Sequence, residues 1–122
     1  SEVFLGGIIA YHDEVKISQL GVSRLAIAEN GAVSEVVACQ MASGVAERLG
    51  ASTGIAITGV AGPGGGTLEK PVGTVWVAVS LKETVEAQLL RLVGDRDAIR
   101  VRAAQHALAL LYRRLGYAEM KA

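Results

Sequence analysis

Apolar and polar positions along the 122-residue chain follow two periods, and these divide it into strands and helices. Residues 2–11, "EVFLGGIIAY", form an apolar run that predicts a buried strand, with Gly6 and Gly7 marking a bulge or a close backbone approach. "DEVKISQLG" predicts a short helix, capped by Asp13 and stopped at Gly21. A second short helix is expected from Ser23 to Glu29, ended by the Asn30–Gly31 pair. From Ser34, a capping residue, apolar side chains recur at Val37, Met41, Val45 and Leu49 until Gly50 ends a third helix. Residues 53–60, "TGIAITGV", are uncharged and rich in isoleucine and valine, which predicts a central strand. "GTVWVAVSL" alternates as the next strand, and Lys82–Glu83 predicts a hairpin turn into "VEAQLLRLV". A long helix is expected from its cap Asp95 to about Leu115, with Ile99, Ala103, Ala107, Leu110 and Leu111 on one face. The order β-α-α-α-β-β-β-α predicts one α/β domain over residues 1–122, a three-layer α/β/α arrangement with a mixed sheet.

Composition narrows the class. Half of the residues are apolar (51%) and a fifth are charged (20%), the balance of a chain that folds around a core. Twelve basic residues offset twelve acidic ones, which argues against a nucleic-acid or membrane-surface protein. Cys39 is the only cysteine, so no internal disulfide forms and a reducing, cytoplasmic setting is expected. No apolar run reaches the roughly 20 residues that span a bilayer, and no secretory signal opens the sequence. The chain starts at "SEVFLGG" without an initiator methionine, almost directly on a predicted strand, from which an upstream part is expected.

The densest chemistry lies in "TGVAGPGGGTLEKPVGT", Thr58 to Thr74. Glycine in a connection is entropically costly unless the backbone needs positive φ or a close approach. A Walker A loop fails here, because Gly65 follows Gly64 where lysine is required. A dinucleotide fingerprint starting at Gly62 and Gly64 fails too, with Thr67 in place of its third glycine. The loop also leads into a strand and lacks the helix N-terminus those motifs use. Two readings stay open. One is a long turn stiffened by Pro63 and Pro71. The other is a main-chain nest of Gly59, Gly62, Gly64, Gly65 and Gly66 that receives an anion or oxyanion, with Thr58, Thr67 and Lys70 nearby.

"TGVAGPGGGTLEKPVGTVWVAVS" closely resembles the signature of the CinA C-terminal domain, the nicotinamide-nucleotide amidohydrolase family. "FLGGIIAYHDEVKISQLGV", "GAVSEVVA" and "GDRDAIRVRAA" fall in the family's order and spacing, so the resemblance covers nearly the whole chain. It implies hydrolysis of the carboxamide of nicotinamide mononucleotide to nicotinate mononucleotide and ammonia, by a serine–lysine mechanism and with no cofactor. The family's nucleophile lies in an "ESCTGG"-like stretch upstream of the first strand, and Ser1 matches only a small residue just before that strand. The domain is therefore expected to lack its N-terminal helix and nucleophile segment. The family's Y-x-x-x-x-K pattern matches Tyr11 and Lys16. Lysine acts as a base towards a serine hydroxyl only when neutral, which needs a pKa brought from about 10.4 towards 7 by burial or a neighbouring positive charge. Arg96 or Arg100 would supply that charge and hold the substrate phosphate. Tyr11 would hydrogen-bond the nucleophile or the departing amine. Read without the family, Lys16 is a solvated surface charge, Tyr11 a strand-end aromatic, and Arg96 and Arg100 the surface of an amphipathic helix.

Further candidates are weaker. His12 and Asp13 stand where the family often has serine and asparagine. They make no triad with Ser34, because adjacent residues on an extended backbone point to opposite faces. His106 lies inside the last helix, and two distant histidines with one cysteine make no metal site. The expected partner is a small-molecule nucleotide, with self-association left open by the apolar first strand. Direct nucleic-acid contact is disfavoured by the neutral charge and the four tryptophan or tyrosine residues. The family's two-domain members carry an N-terminal domain that resembles molybdopterin-binding folds and is associated with ADP-ribose pyrophosphatase activity. A non-catalytic nucleotide-binding or assembly module is the alternative, and an E-S-x-T-G-G segment upstream would decide for the enzyme.

Overall fold

Side chains that alternate across three strands divide the core into two halves in a computed structural model that describes residues 3–116. The elements are α1 (Asp13–Leu20), α2 (Arg24–Asn30), α3 (Glu35–Leu49), β1 (Thr53–Gly59), β2 (Thr74–Leu81), β3 (Thr84–Arg91) and α4 (Arg96–Arg114). On one face of the sheet Val75, Val77, Val79 and Leu81 pack with Leu90 against Ile99, Ala103, Ala107 and Leu110 of α4. On the other face the small Ala56 and Ala78 let α3 come close, through Val37, Ala38, Met41 and Ala42. That approach is tight enough that a Cβ on Gly54 would stand 2.1 Å from the Ala42 carbonyl oxygen. The result is the expected α/β fold in three layers, with α3 on one side and α4 on the other.

The sheet differs from expectation in one respect. Its order is β1-β2-β3, and both pairings are antiparallel, from Thr53 opposite Leu81 to Thr74 opposite Arg91. It is not mixed. The predicted first strand does not join it: residues 3–11 run as a connection outside the sheet, with Phe4 72% and Ile9 93% exposed. An apolar run becomes a strand only where a neighbour completes its ladder, and residues 5–11 take no place in one. The three strands that do form follow one another in sequence, so each turns back on the last.

Local signals set most boundaries. Ser23, Ser34 and Asp95 cap α2, α3 and α4 with their side-chain oxygens. Helix α1 is capped differently from the prediction. His12 accepts the Glu14 N–H at its Nδ1, 3.0 Å away, and Asp13 is the first helical residue, where its carboxylate suits the helix dipole. Strand β3 ends at Arg91, short of the predicted Val93, where Leu92 N–H turns to the Gly73 carbonyl at 2.8 Å.

The β2–β3 hairpin turns on Lys82 and Glu83, whose φ angles of 50° and 67° both lie in the left-handed region. Two-residue hairpin loops with that twist prefer Asn-Gly, because a Cβ crowds the following carbonyl oxygen there, which glycine avoids and the short polar side chain of asparagine offsets with local hydrogen bonds. The double substitution Lys82→Asn, Glu83→Gly is expected to raise stability by about 1 kcal/mol. Urea unfolding measures this, and a lower midpoint would overturn it.

Candidate functional site

The residues singled out in the sequence divide into two groups in space. The first surrounds Lys16. Lys16 and Leu20 stand four apart on α1, share its inner face, and are both buried. Lys16 is only 6% exposed, in contrast to the solvated charge that its place near the start of a short helix suggests. Its Nζ donates to the Ala10 carbonyl at 2.7 Å and approaches the Tyr11 carbonyl at 3.5 Å. The Asp13 carboxylate lies 3.8 Å from the same nitrogen. The carbonyls of the connection before α1 thus aim the ammonium group. The Tyr11 ring takes no part in this, being 88% exposed. Arg24 pairs Glu14 through both carboxylate oxygens, at 2.6 and 3.0 Å, which ties α1 to α2 and holds the Glu14 carboxyl below its usual range.

The second group is the glycine loop and the start of α4. Gly59 at the end of β1 lines an open cleft of about 600 Å³ with Ile57, Ala61, Val75, Arg96 and Arg100. A Cβ on Gly59 would stand 2.7 Å from a Val75 methyl, so the cleft floor requires glycine there. Arg96 Nη1 donates to the Gly62 carbonyl at 2.9 Å, which brings loop and helix together. Two guanidinium groups beside the N-terminus of a 19-residue helix favour an anion, although Asp97 lines the same cleft.

The loop has a braced base and an exposed glycine tip. Its base is zipped by Val60 N–H to Thr74 O at 2.9 Å and Gly73 N–H to Val60 O at 2.7 Å. Gly62 and Gly66 are packing positions, since a Cβ on either would meet Val72 at 2.6 and 2.8 Å. Gly64 meets nothing within 4 Å, and Gly64, Gly65, Gly66 and Thr67 are all exposed. Thr58 is buried and donates its hydroxyl to the Ala32 carbonyl at 2.9 Å, so it braces the strand end. Among the described residues no hydrogen bond or ion pair joins Lys16 to the loop.

Other nucleophile and metal candidates fall away on geometry. Ser34 is committed to capping, accepting from Val37 N–H and donating to the Gly31 carbonyl at 2.8 Å. The Cys39 thiol is pushed above its usual range, by burial first and then by the charge of Glu35, so it is a poor thiolate. His106 is exposed on α4. Among the described residues no group of His, Cys, Asp or Glu could hold a metal, and no helix is long and apolar enough to cross a membrane. The sequence gives no sign that His12, a residue outside the usual cap set, would cap the lysine helix. The burial of Lys16 leaves a faint trace in its i, i+4 spacing to Leu20.

The model of the CinA C-terminal domain family matches residues 1–115. A CinA-like protein of Gemmatimonas aurantiaca is 57% identical over 113 residues, 93% of this chain and 26% of the relative. A putative competence-damage inducible protein of Moorella thermoacetica is 45% identical over 94% of the chain and 28% of its own length. The chain thus spans little more than a quarter of these curated relatives. Among solved structures, competence damage-inducible protein A of Klebsiella pneumoniae superposes with a TM-score of 0.86 at 35% identity, over 90% of this chain and 68% of that one. The competence/damage inducible protein CihA from Agrobacterium tumefaciens gives 0.82 at 38% identity, over 84% and 64%.

Proposed function

Because the chain belongs to the CinA C-terminal domain family, we propose that it is the amidohydrolase domain that converts nicotinamide mononucleotide to nicotinate mononucleotide and ammonia. The observation that carries this reading is the burial of Lys16, with its Nζ aimed by two backbone carbonyls. A lysine held in one orientation and out of bulk solvent is placed for proton transfer, and it can accept a proton only in its neutral form.

The chemistry is acyl transfer. A serine oxygen attacks the carboxamide carbon while its proton passes to the lysine nitrogen. The tetrahedral adduct collapses with loss of ammonia, which takes that proton as it leaves. Water then attacks the acyl-serine ester, the serine recovers its proton, and the nucleotide carboxylate is released. The serine in this reading comes from sequence outside residues 1–122. Gly64 to Gly66 offer main-chain N–H groups, and Arg96 and Arg100 offer charge for the substrate phosphate.

The test is ammonia release from nicotinamide mononucleotide by the longest natural reading frame containing these residues, beside the 122-residue chain alone. Activity confined to the longer protein is the expected result. Nucleotide binding without ammonia release from either form would overturn it and leave a non-catalytic nucleotide-binding module.

A further inference from the structure

The ammonium group of Lys70 stands where the glycine loop could offer charge to a ligand, yet it is turned away from the loop tip. Its Nζ donates to the Asn30 carbonyl, 2.5 Å away, at the C-terminal end of α2. Carbonyls there lack partners within the helix and carry the negative end of its dipole, so a cation is favoured. The next residue leaves space for it: a Cβ on Gly31 would lie 2.8 Å from Lys70 Nζ. The backbone of Lys70 is tied as well. Its N–H donates to Thr67 Oγ1 at 3.0 Å and its carbonyl accepts the Thr67 N–H at 3.0 Å, closing the turn from Thr67 to Lys70. Next along the chain from Gly31, Ala32 accepts the Thr58 hydroxyl. The junction between α2 and α3 therefore grips the loop at Lys70 and the β1 end at Thr58.

Between these ties the loop has little of its own. Among the described residues, the peptide groups from Pro63 to Gly66 make no hydrogen bond within the protein. Their position rests on anchors at either side, Arg96 on the Gly62 carbonyl and Lys70 on the Asn30 carbonyl. A glycine stretch without such anchors would sample many backbone states, and a ligand would have to select the competent one.

We propose that Lys70 is a positioning residue, a latch that fixes the exposed Gly64–Thr67 stretch for nucleotide binding by its bond to the end of α2. This rests on the reading of the loop as part of the nucleotide site. Lys70 touches no reacting atom in this role; it raises the fraction of loops ready to bind. Its loss therefore weakens binding and leaves the chemical step alone.

The experiment uses the longest natural reading frame and the variant Lys70→Met, which keeps the stem and removes the ammonium. KM for nicotinamide mononucleotide is expected to rise about tenfold, as for one charge-assisted hydrogen bond, with kcat within about twofold. The Thr67 and Lys70 amide hydrogens, bonded within the turn that the latch holds, are expected to exchange faster by a similar factor of about ten. An unchanged KM in a folded Lys70→Met protein would overturn the latch. So would a KM rise with loop exchange unaltered, which would mean that Lys70 meets the substrate itself. If the wild-type protein neither hydrolyses nor binds the nucleotide, the functional reading fails, and loop exchange in Lys70→Met still decides whether the latch exists.

Discussion

Replacing Lys16 by alanine in the longest natural form is expected to lower kcat for ammonia release by about a thousandfold or more, the range for loss of a base that activates a hydroxyl nucleophile. At 1.36 kcal/mol per tenfold, that is about 4 kcal/mol of barrier. KM should change little, because Lys16 lies apart from the cleft that holds Arg96 and Arg100. The variant needs a partner that separates chemistry from packing, since Lys16 is 6% exposed and its stem lies in the interior. Lys16→Met keeps that stem and removes the proton acceptor. It should lose activity as Lys16→Ala does, while unfolding closer to the wild-type temperature. Both variants leave the Ala10 and Tyr11 carbonyls without their donor, so some loss of stability is expected in each. A folded Lys16→Met protein that keeps more than a tenth of wild-type kcat would remove Lys16 from the chemistry, and the serine–lysine reading with it.

The legible parts of this fold are those that a local period and a local cap determine together. Helix α4 could be placed from Asp95 to about Leu115 because Ile99, Ala103, Ala107 and Leu110 repeat on one face behind a capping carboxylate. The β2–β3 hairpin was legible from alternation and a two-residue polar gap, although Lys82 and Glu83 are poor residues for the backbone they adopt. Residues 3–11 show the limit of that signal. Their apolar run is equally compatible with a strand and a connection outside the sheet, because ladder partners are set by tertiary structure. The glycine loop was visible as an anomaly, but its anchors were not. The bonds from Lys70 to Asn30 and from Arg96 to Gly62 link residues far apart in sequence, and no spacing rule reports them. The lysine cluster was hidden for a related reason. Burial of Lys16 depends on the Ala10 and Tyr11 carbonyls folding back over α1, which a helical pattern alone does not encode.

Gly44 sits in the middle of α3, where helix propensity alone says that alanine should be better by about 1 kcal/mol. The packing of α1 reverses the sign. A Cβ on Gly44 would lie 1.8 Å from the Leu20 carbonyl oxygen and 2.7 Å from its carbon. Both are backbone atoms at the end of α1, next to Gly21, which closes that helix in a left-handed conformation. No rotamer change relieves such a contact, so α1 and α3 must move apart and open the cluster of Leu20, Val22, Met41 and Ala42. Gly44→Ala is therefore expected to cost about 3 kcal/mol, at the upper end for overpacking, and to lower the unfolding midpoint by about 10 °C or more. Gly7→Ala is the control, because a Cβ there meets nothing within 4 Å. Since α1 also carries Lys16, the displacement should reach the candidate catalytic group, and ammonia release by the long form should fall even below the unfolding transition. A midpoint for Gly44→Ala at or above that of wild type would show that α1 is free to shift without loss. The close contact between the two helices would then have no part in holding Lys16 in place.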